Sequence, residues 1–564
     1  MNPDPLSVTA FTAPGQPFEL IEREVRGMRC RVFRNARHFL GELYGAAREH
    51  DGRVFAVQEG TRFTYGELFA QAGALAAELA NQGVTKGVRV AIVMRNCPEW
   101  LVAFIAVTAL GAVPVLVNSR AARPELSHCV ASTRSRHIIA DAERAQLMEQ
   151  AGALDGTTGI LVAQTRDARP HWRHWSDIVG GAVPRELPLT ACAPEDPALI
   201  MFTSGTTGTP KGAVLDHLGV LTALMANQLS AAVLFARIAA QLAIDPATLA
   251  ANAPQPCTLL VFPLTHTSGC LSVFLTSLAR GGKIVFMPRW SAAQALELIG
   301  RERVTSLPAV PTMLWDLLHA PELAGADISS LVNVATAGQS LPGNLLESIR
   351  AAFPRALLGT GYGMTETNGM VSLAVGAEFV AHPDSAGQPL ATAEIRIVDG
   401  DDRELPQGVP GEVCVRSAQN MSGYFGRPEA TAETFRGGWL HTGDVGFISA
   451  EGFLHLVGRK TDMIISGGEN IYCAEVEQVL TQHPQVLEAA TFGLPDERLG
   501  EKLVAVIVAR GGCTLDASAL REFCSTRLAT YKLPREWVFD PRPLERNATG
   551  KVVKAQLRAR LLGA

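Results

Sequence analysis

Between residues 54 and 397 the chain alternates short, nearly all-apolar runs with Ala- and Leu-rich stretches of helical spacing. The apolar runs include VRVAIVM (88–94), VPVLVN (113–118), HIIA (137–140), ALIMFTSG (198–205), CTLLVFPL (257–264), KIVFM (283–287) and VNVATAG (332–338). A strand apolar on both faces has no solvent side, so such strands alternating with helices predict parallel sheets covered by helices. Character changes over 394–458, where EIRIVDG, GEVCVRS, GWLHTGD and GFLHLVG alternate apolar and polar positions between close turns. That is the pattern of a small antiparallel unit. Further on, the spacing predicts a helix over 474–482, strands over 487–494 and 503–508, a helix over 517–528 and a closing strand over 536–539. The predicted class is α/β: a large N-terminal domain of parallel sheets with a small antiparallel β unit, then a small α+β C-terminal domain. Residues 1–45 read as a polar-rich lead-in, with a helical stretch around 36–50.

Two uncharged stretches need testing against a membrane span. Residues 101–117 approach that length, but Gly111 and Pro114 interrupt them, which predicts helix, turn and short buried strand. Residues 218–236 carry Thr222, Asn227, Gln228 and Ser230, polar groups that are costly in lipid, so a core helix is expected. The first sixteen residues lack a charged segment followed by an apolar one, so neither a signal peptide nor a transmembrane segment is expected.

Composition agrees with a chain that buries much of itself. Of 564 residues, 47% are hydrophobic and 19% charged, which excludes intrinsic disorder. Lys plus Arg number 50 against 55 Asp plus Glu, a net charge of −5, so no nucleic-acid footprint is expected. The 10 cysteines include no CxxC pair and no metal-like cluster, and point to a reducing, cytoplasmic compartment.

The strongest chemical signal is MFTSGTTGTPKGAV at 201–214, an apolar strand running into a loop of glycines, hydroxyls and Lys211. Glycines admit backbone N–H groups close to an anion, while hydroxyls and an ammonium add donors and charge. It is not a Walker loop, because Pro210 and Gly212 stand where glycine and Ser/Thr are required. Next, GTGYGMTET at 359–367 places an aromatic and a carboxylate within a few residues, able to stack on a purine and to hold Mg²⁺. GWLHTGD at 438–444 offers Asp444 to a ribose diol, GRKTD follows at 458–462, and NATGK at 547–551 carries Lys551 on a loop.

On TSGTTGTPKG, FPLTHTSG, GYGMTET, GWLHTGD, GRKTDMIISGGENIY and RNATGKV, in that order, the chain resembles the adenylate-forming (AMP-binding) superfamily. That superfamily includes acyl-CoA and aryl-CoA synthetases. The segments FTYGELFAQAGALAAEL (63–79) and CPEWLVAFIAVTALGAVPV (97–115) match in character as well, leaving only about the first 45 residues outside. The resemblance implies ATP, Mg²⁺ and coenzyme A, and a reaction in which a carboxylic acid forms an acyl-adenylate before a thiol displaces AMP. Thr203, Ser204, Gly205, Thr206, Thr207, Gly208 and Lys211 would hold the phosphates. Gly338, Gln339, Ser340 and the run Gly361, Tyr362, Gly363, Met364 and Thr365 would take the adenine side, with Tyr362 packed on the base. Asp444 and Arg459 would bind the ribose, and Glu366 would place the metal. Lys551, His266, Glu366 and Thr206 are the implied catalytic residues, with Lys551 approaching the α-phosphate and His266 facing the carboxylate and thiol. The implied organisation is a large domain over 1–458, a hinge at 459–462 centred on Thr461 or a neighbour, and a mobile lid over 463–564. On that lid Ser466, Gly467, Gly468 and Glu469 would form the thiolation face, and Cys473 reads as a packed residue.

Within the superfamily, a stand-alone acid–CoA ligase acting on a small-molecule carboxylic acid fits best. No carrier domain follows Lys551, and no Asp follows His266 to hold a substrate amine. An adenylating enzyme that loads a carrier protein is the alternative, and a homodimer is left open. Small residues in the implied pocket segments, with no Lys or Arg, suggest a deep site for a bulky apolar acid, whether fatty, aryl or alicyclic. The 55 positions from Lys211 to His266 exceed the family pattern by about a dozen, the extra material lying in the apolar helix and in 245–256, and the helix is expected to line a channel.

Overall fold

The computed structural model describes residues 6–150, 156–162, 172–180, 186–203, 210–337, 343–466, 469–511, 513, 515–546 and 552–562. Two large sheets form the body. The first has eight strands, five of which run parallel to Pro197–Thr203 and continue to one edge: Val113–Leu116, Arg89–Val93, His137–Asp141, Thr158–Val162 and Trp172–His174. The second has nine strands, with Leu357–Met364, Asn333–Ala337, Ser306–Ala309, Cys257–Leu260, Lys283–Phe286 and Val54–Gln58 parallel at its centre.

The two sheets share one core. Helix Pro98–Ala109 is buried at every position except Glu99, and it lies with helix Tyr65–Asn81 and the turns of Ser268–Leu275 between apolar faces of both sheets. A helix enclosed on all sides needs no polar stripe, which accounts for the uncharged run at 101–117. As expected, that run is helix, then turn at Gly111 (φ 67°), then strand Val113–Leu116. A capping box of Thr64 and Glu67 starts helix Tyr65–Asn81.

The expectation of parallel sheets holds at the centre of each sheet and is supplemented at the margins. Pro197–Thr203 turns back antiparallel into Lys211–Asp216, and Leu357–Met364 into Gly369–Val375, so each glycine-rich motif follows a strand that reverses direction. Residues 393–459 form the antiparallel unit expected, built on Ala393–Val398, Gly411–Ser417, Trp439–Ile448 and Leu454–Arg459. The C-terminal unit is a separate sheet of five strands with its own core, and it includes the hairpin Met463–Ser466/Glu469–Tyr472 and helix Lys554–Leu562, neither expected. The lead-in is likewise structured. Leu20–Val25 and Met28–Phe33 form a hairpin, because their alternating apolar positions dock on the body.

Helix His217–Gln241 is long and apolar enough to cross a membrane. Over 218–236 it is the core helix expected, with positions 217–224 all buried and none exposed before residue 240, whereas most of 240–254 is exposed. The piece at 245–256 therefore lies mostly at the surface, and the N-terminal part of the helix is what faces the interior. Asp216 caps that helix, accepting the Gly219 N–H at 2.7 Å.

Beside the cap, His217 is buried and accepts the Leu40 N–H at 3.3 Å. Burial pushes its imidazole down to about 4 from an ordinary 6.5. The unfolded chain thus binds more protons between these values, so the contribution is complete above pH 6.5 and is lost as pH falls toward 4. The loss should reach roughly 3 kcal/mol. His217→Gln, which keeps an acceptor for Leu40, should remove this part of the acid sensitivity in urea titrations across that range; equal pH slopes for both proteins would contradict it.

Candidate active site

The site begins at the turn between Leu357–Met364 and Gly369–Val375. Thr367 Oγ1 accepts the Met364 N–H at 2.9 Å and donates to the Gly369 carbonyl at 2.7 Å, closing the turn on itself. Asn368 adopts a left-handed conformation (φ 53°) and donates to the Gln419 carbonyl at 2.6 Å. Gln419 returns two bonds from Nε2, to the carbonyls of Thr367 (3.0 Å) and Met370 (2.7 Å). A Cβ on Gly363 would stand 1.8 Å from the Gly369 carbonyl oxygen, so the turn itself requires that glycine.

This frame aims Glu366 inward. The residue is buried, its backbone carbonyl accepts the Met421 N–H at 2.8 Å, and its Oε1 accepts the Tyr424 hydroxyl at 2.8 Å. Burial, reinforced by the adjacent Glu366 charge, pushes the Tyr424 phenol far up, so it stays a donor. Lys211 Nζ lies 5.2 Å from the centre of the Tyr424 ring, within cation–π range. Strand Gly423–Tyr424 pairs with Lys211–Asp216, so Lys211, Tyr424 and Glu366 form one line along a sheet edge.

A second carboxylate stands close by on a parallel plan. Asp444, buried on Trp439–Ile448, accepts the Tyr362 hydroxyl at Oδ2 (2.8 Å) and pairs through Oδ1 with Arg459 Nε (2.9 Å). Asp444 and Arg459 are cross-strand partners, and Thr442 Oγ1 accepts the Asp444 N–H at 3.0 Å. Burial, then the Asp444 charge, pushes the Tyr362 phenol well up. For Arg459, burial works against the cation, but the Asp444 carboxylate and neighbouring groups override it and hold the guanidinium above its ordinary value. Both carboxylates keep lone pairs available beyond their tyrosines.

Next to Arg459, Lys460 Nζ reaches Glu412 Oε2 at 3.1 Å, where His441 Nδ1 (3.2 Å) and Arg436 (3.3 Å) converge on the same buried carboxylate. Burial alone would raise Glu412; the hydrogen bonds from His441 and Lys460 draw it down.

His266 opens the Ser268–Leu275 turns, its carbonyl accepting the Cys270 N–H at 2.8 Å. That segment is π-helical, a winding frequent at functional sites. It faces the Glu366 turn: a Cβ on Gly369 would lie 3.9 Å from Thr267 Cβ. Asn96 cradles the approach, donating to the Phe262 carbonyl at 2.8 Å and accepting the Leu264 N–H at 2.9 Å.

The structure therefore brings together Tyr362, Glu366, Asp444, Arg459 and Lys211, with the His266 segment alongside. Thr203 lies opposite Lys211, at 3.5 Å from its hydroxyl to the Lys211 carbonyl. Ser204, Gly205, Thr206, Thr207, Gly208, Gly338, Gln339, Ser340, Gly467, Gly468 and Lys551 lie outside the described residues, as does the side chain of Glu469. Ser466 is buried on the C-terminal hairpin. Cys473 is packed as expected: its thiol donates to the Asp462 carbonyl at 3.0 Å, and burial pushes it up to about 11. Tyr424, Asn96 and Gln419 escaped the sequence reading. For Tyr424 the signal was present in the turn MSGYFG (421–426), but its partner lies 58 positions away.

The chain matches the family model of the AMP-binding enzyme over residues 43–425 and that of the AMP-binding enzyme C-terminal domain over 475–551. It is 36% identical over 502 residues to a feruloyl-CoA synthase of Amycolatopsis sp, covering 89% of this chain and 94% of that protein. It is 33% identical over 505 residues to a long-chain-fatty-acid–CoA ligase of Mycobacterium tuberculosis, covering 88% and 93%. Among solved structures, the o-succinylbenzoate CoA synthetase of Bacillus subtilis, in complex with an acyl-adenylate intermediate, superposes with a TM-score of 0.75 at 30% identity, covering 93% and 98%.

Removing the Tyr362 hydroxyl leaves Asp444 one bond short and held on its other oxygen by Arg459 alone. Tyr362→Phe should weaken ATP affinity about tenfold, the effect of roughly 1.4 kcal/mol, while the melting temperature moves by only a few degrees. Calorimetric titration with ATP alongside thermal melts checks this; an unchanged affinity would show that the hydroxyl does not organise the site.

Proposed function

The chain belongs to the AMP-binding enzyme family, and on that premise we propose that its two tyrosine-capped carboxylates form the nucleotide end of an acid–CoA ligase. The protein is an ATP-dependent carboxylic acid–CoA ligase that works through an acyl-adenylate. A carboxylate is a poor electrophile because expelling oxide is prohibitive. Its oxygen attacks the α-phosphorus of ATP, pyrophosphate leaves, and a mixed anhydride forms. The sulfur of coenzyme A then attacks the acyl carbon, and AMP leaves with the bonding electrons of the C–O bond.

The observation that carries this reading is the concentration of complementary groups around one buried line. Lys211 supplies positive charge toward phosphates, and Asp444 with Arg459 offers an acceptor and donors to a ribose diol. Tyr362, held through its hydroxyl by Asp444, packs against the base. Lys551, in the NATGK motif, neutralises charge that builds on the α-phosphate during the first step. His266 orients the acid or the thiol as a neutral or cationic donor. The segment beginning at Ser466 takes the pantetheine arm, and residues 463–564 reorient about the stretch after Arg459 between the two steps.

Magnesium fits the donors present. Among the described residues no cluster of three ligating side chains exists, and Mg²⁺ is ordinarily held by one or two carboxylates plus substrate phosphates. Glu366 would provide that carboxylate, since Tyr424 engages only its Oε1. When bound, the ion supplies charge neutralisation for the departing pyrophosphate; Tyr424 fixes the carboxylate that receives it.

For the acid, the relatives named for feruloyl and long-chain acyl substrates support a bulky apolar carboxylate. The wall residues Thr267, Ser268 and Gly369 are small, and the Ser268–Leu275 turns pack on helix His217–Gln241. A panel of acids assayed for the CoA thioester should favour hydroxycinnamates or medium-to-long fatty acids; preference for acetate or propionate would overturn the apolar assignment. In a separate test, Lys551→Ala should lower ATP–pyrophosphate exchange by a factor of roughly hundreds, or about 3 kcal/mol. Thiolysis of a supplied acyl-adenylate should stay near wild type, and equal loss of both steps would count against a reorienting C-terminal unit.

A further inference from the structure

The N-terminal hairpin lies outside the matched family region, which starts at residue 43, yet its tip is wired into the site. Arg26 and Gly27 make the two-residue turn, both with positive φ (51° and 74°). Arginine is an unfavoured choice for a left-handed turn position, where Asn, Asp or Gly cost less. Its side chain is only 20% exposed, and Asp216, with which it pairs, is 1% exposed. The guanidinium bonds three acceptors at once: the Asp216 carboxylate, the Ala418 carbonyl at 2.9 Å and the Asn420 carbonyl at 2.7 Å.

Each acceptor leads to the nucleotide end. Asp216 closes the strand that begins with Lys211, and its Oδ2 also accepts the Ser422 hydroxyl at 2.8 Å. Residues 418–424 are the stretch that supports Glu366, through Met421 N–H to the Glu366 carbonyl and Tyr424 hydroxyl to its carboxylate. Met28, on the same hairpin, packs against the turn ahead of the strand bearing Asp444, where a Cβ on Gly438 would meet Met28 Cγ at 3.1 Å. One rigid, planar fork thus spans the strand of Lys211 and the stretch of Tyr424, the geometry for which arginine is suited and lysine is not.

We propose that Arg26 is a positioning residue for the ATP step, fixing Lys211 and Tyr424 relative to Glu366 from outside the family fold. The proposal rests on the reading of these residues as the nucleotide site. Arg26→Ala strands a buried carboxylate at Asp216 and is accompanied by Arg26→Ala/Asp216→Asn, in which Asn still caps the helix and no charge is left unpaired. The double variant should melt near wild type. It should nevertheless lose at least about tenfold in kcat/KM for ATP, carried by KM for ATP with the KM for the acid little changed. Arg26→Lys, a point charge unable to fork, should recover less than half of that loss on a logarithmic scale.

A cycle with Tyr424→Phe reads the coupling: because Arg26 acts in part through Tyr424, combining the changes should cost less than the product of the two separate losses. Wild-type ATP kinetics in the well-folded double variant would overturn the proposal, as would losses that simply multiply with Tyr424→Phe. Calorimetric ATP binding separates the two failures: no binding by the wild type overturns the nucleotide reading itself. Equal binding by wild type and double variant overturns only the role of Arg26.

Discussion

A carboxylate removed from water must be given donors in return, and this requirement organises the site. Glu366 and Asp444 are both buried, and each receives a tyrosine hydroxyl at 2.8 Å. A neutral phenol satisfies an oxygen without cancelling its charge, so the carboxylates remain able to attract a cation or a polar diol. Placing the two phenols demands that four chain segments converge: the turn after 364, the short strand at 423–424, the long strand at 439–448 and Arg459 opposite it. The bonds of Gln419, Asn368 and Thr367 exist to hold that convergence, because an ill-placed hydroxyl would leave a buried charge alone.

The body beneath supplies rigidity rather than chemistry. Two sheets clasp a helix with almost no exposed position, and the reacting segments leave the sheets where strands reverse. Low charge density and the uncharged runs follow from this shared core. The exposed stretch after residue 240 is a different matter, since it adds apolar length without adding interior.

Much of the architecture was legible because its signals are local. Wholly apolar strands announced the parallel centres of the sheets, and glycines with hydroxyls and single charges announced the loops. What escaped is non-local. Tyr424 and Arg26 each look like ordinary surface residues until partners 58 and 190 positions away are brought to them. Antiparallel returns at the sheet edges escaped because an edge strand beside a parallel one has the same apolar composition. The lead-in hairpin was read as polar because its alternation places only every second side chain against the body.

The adjacent cations Arg459 and Lys460 bear on where the chain is free to turn. Each is moored to a different buried carboxylate of the large body, Asp444 and Glu412. Two residues on, the Asp462 carbonyl is claimed from the other side by the Cys473 thiol of the C-terminal unit. Both ends of the connection are therefore anchored, one to each unit, and the 3-10 turn Lys460–Asp462 joins them. The passage from one unit to the other is thus a single tight turn tied down on both sides, not a loose length of chain.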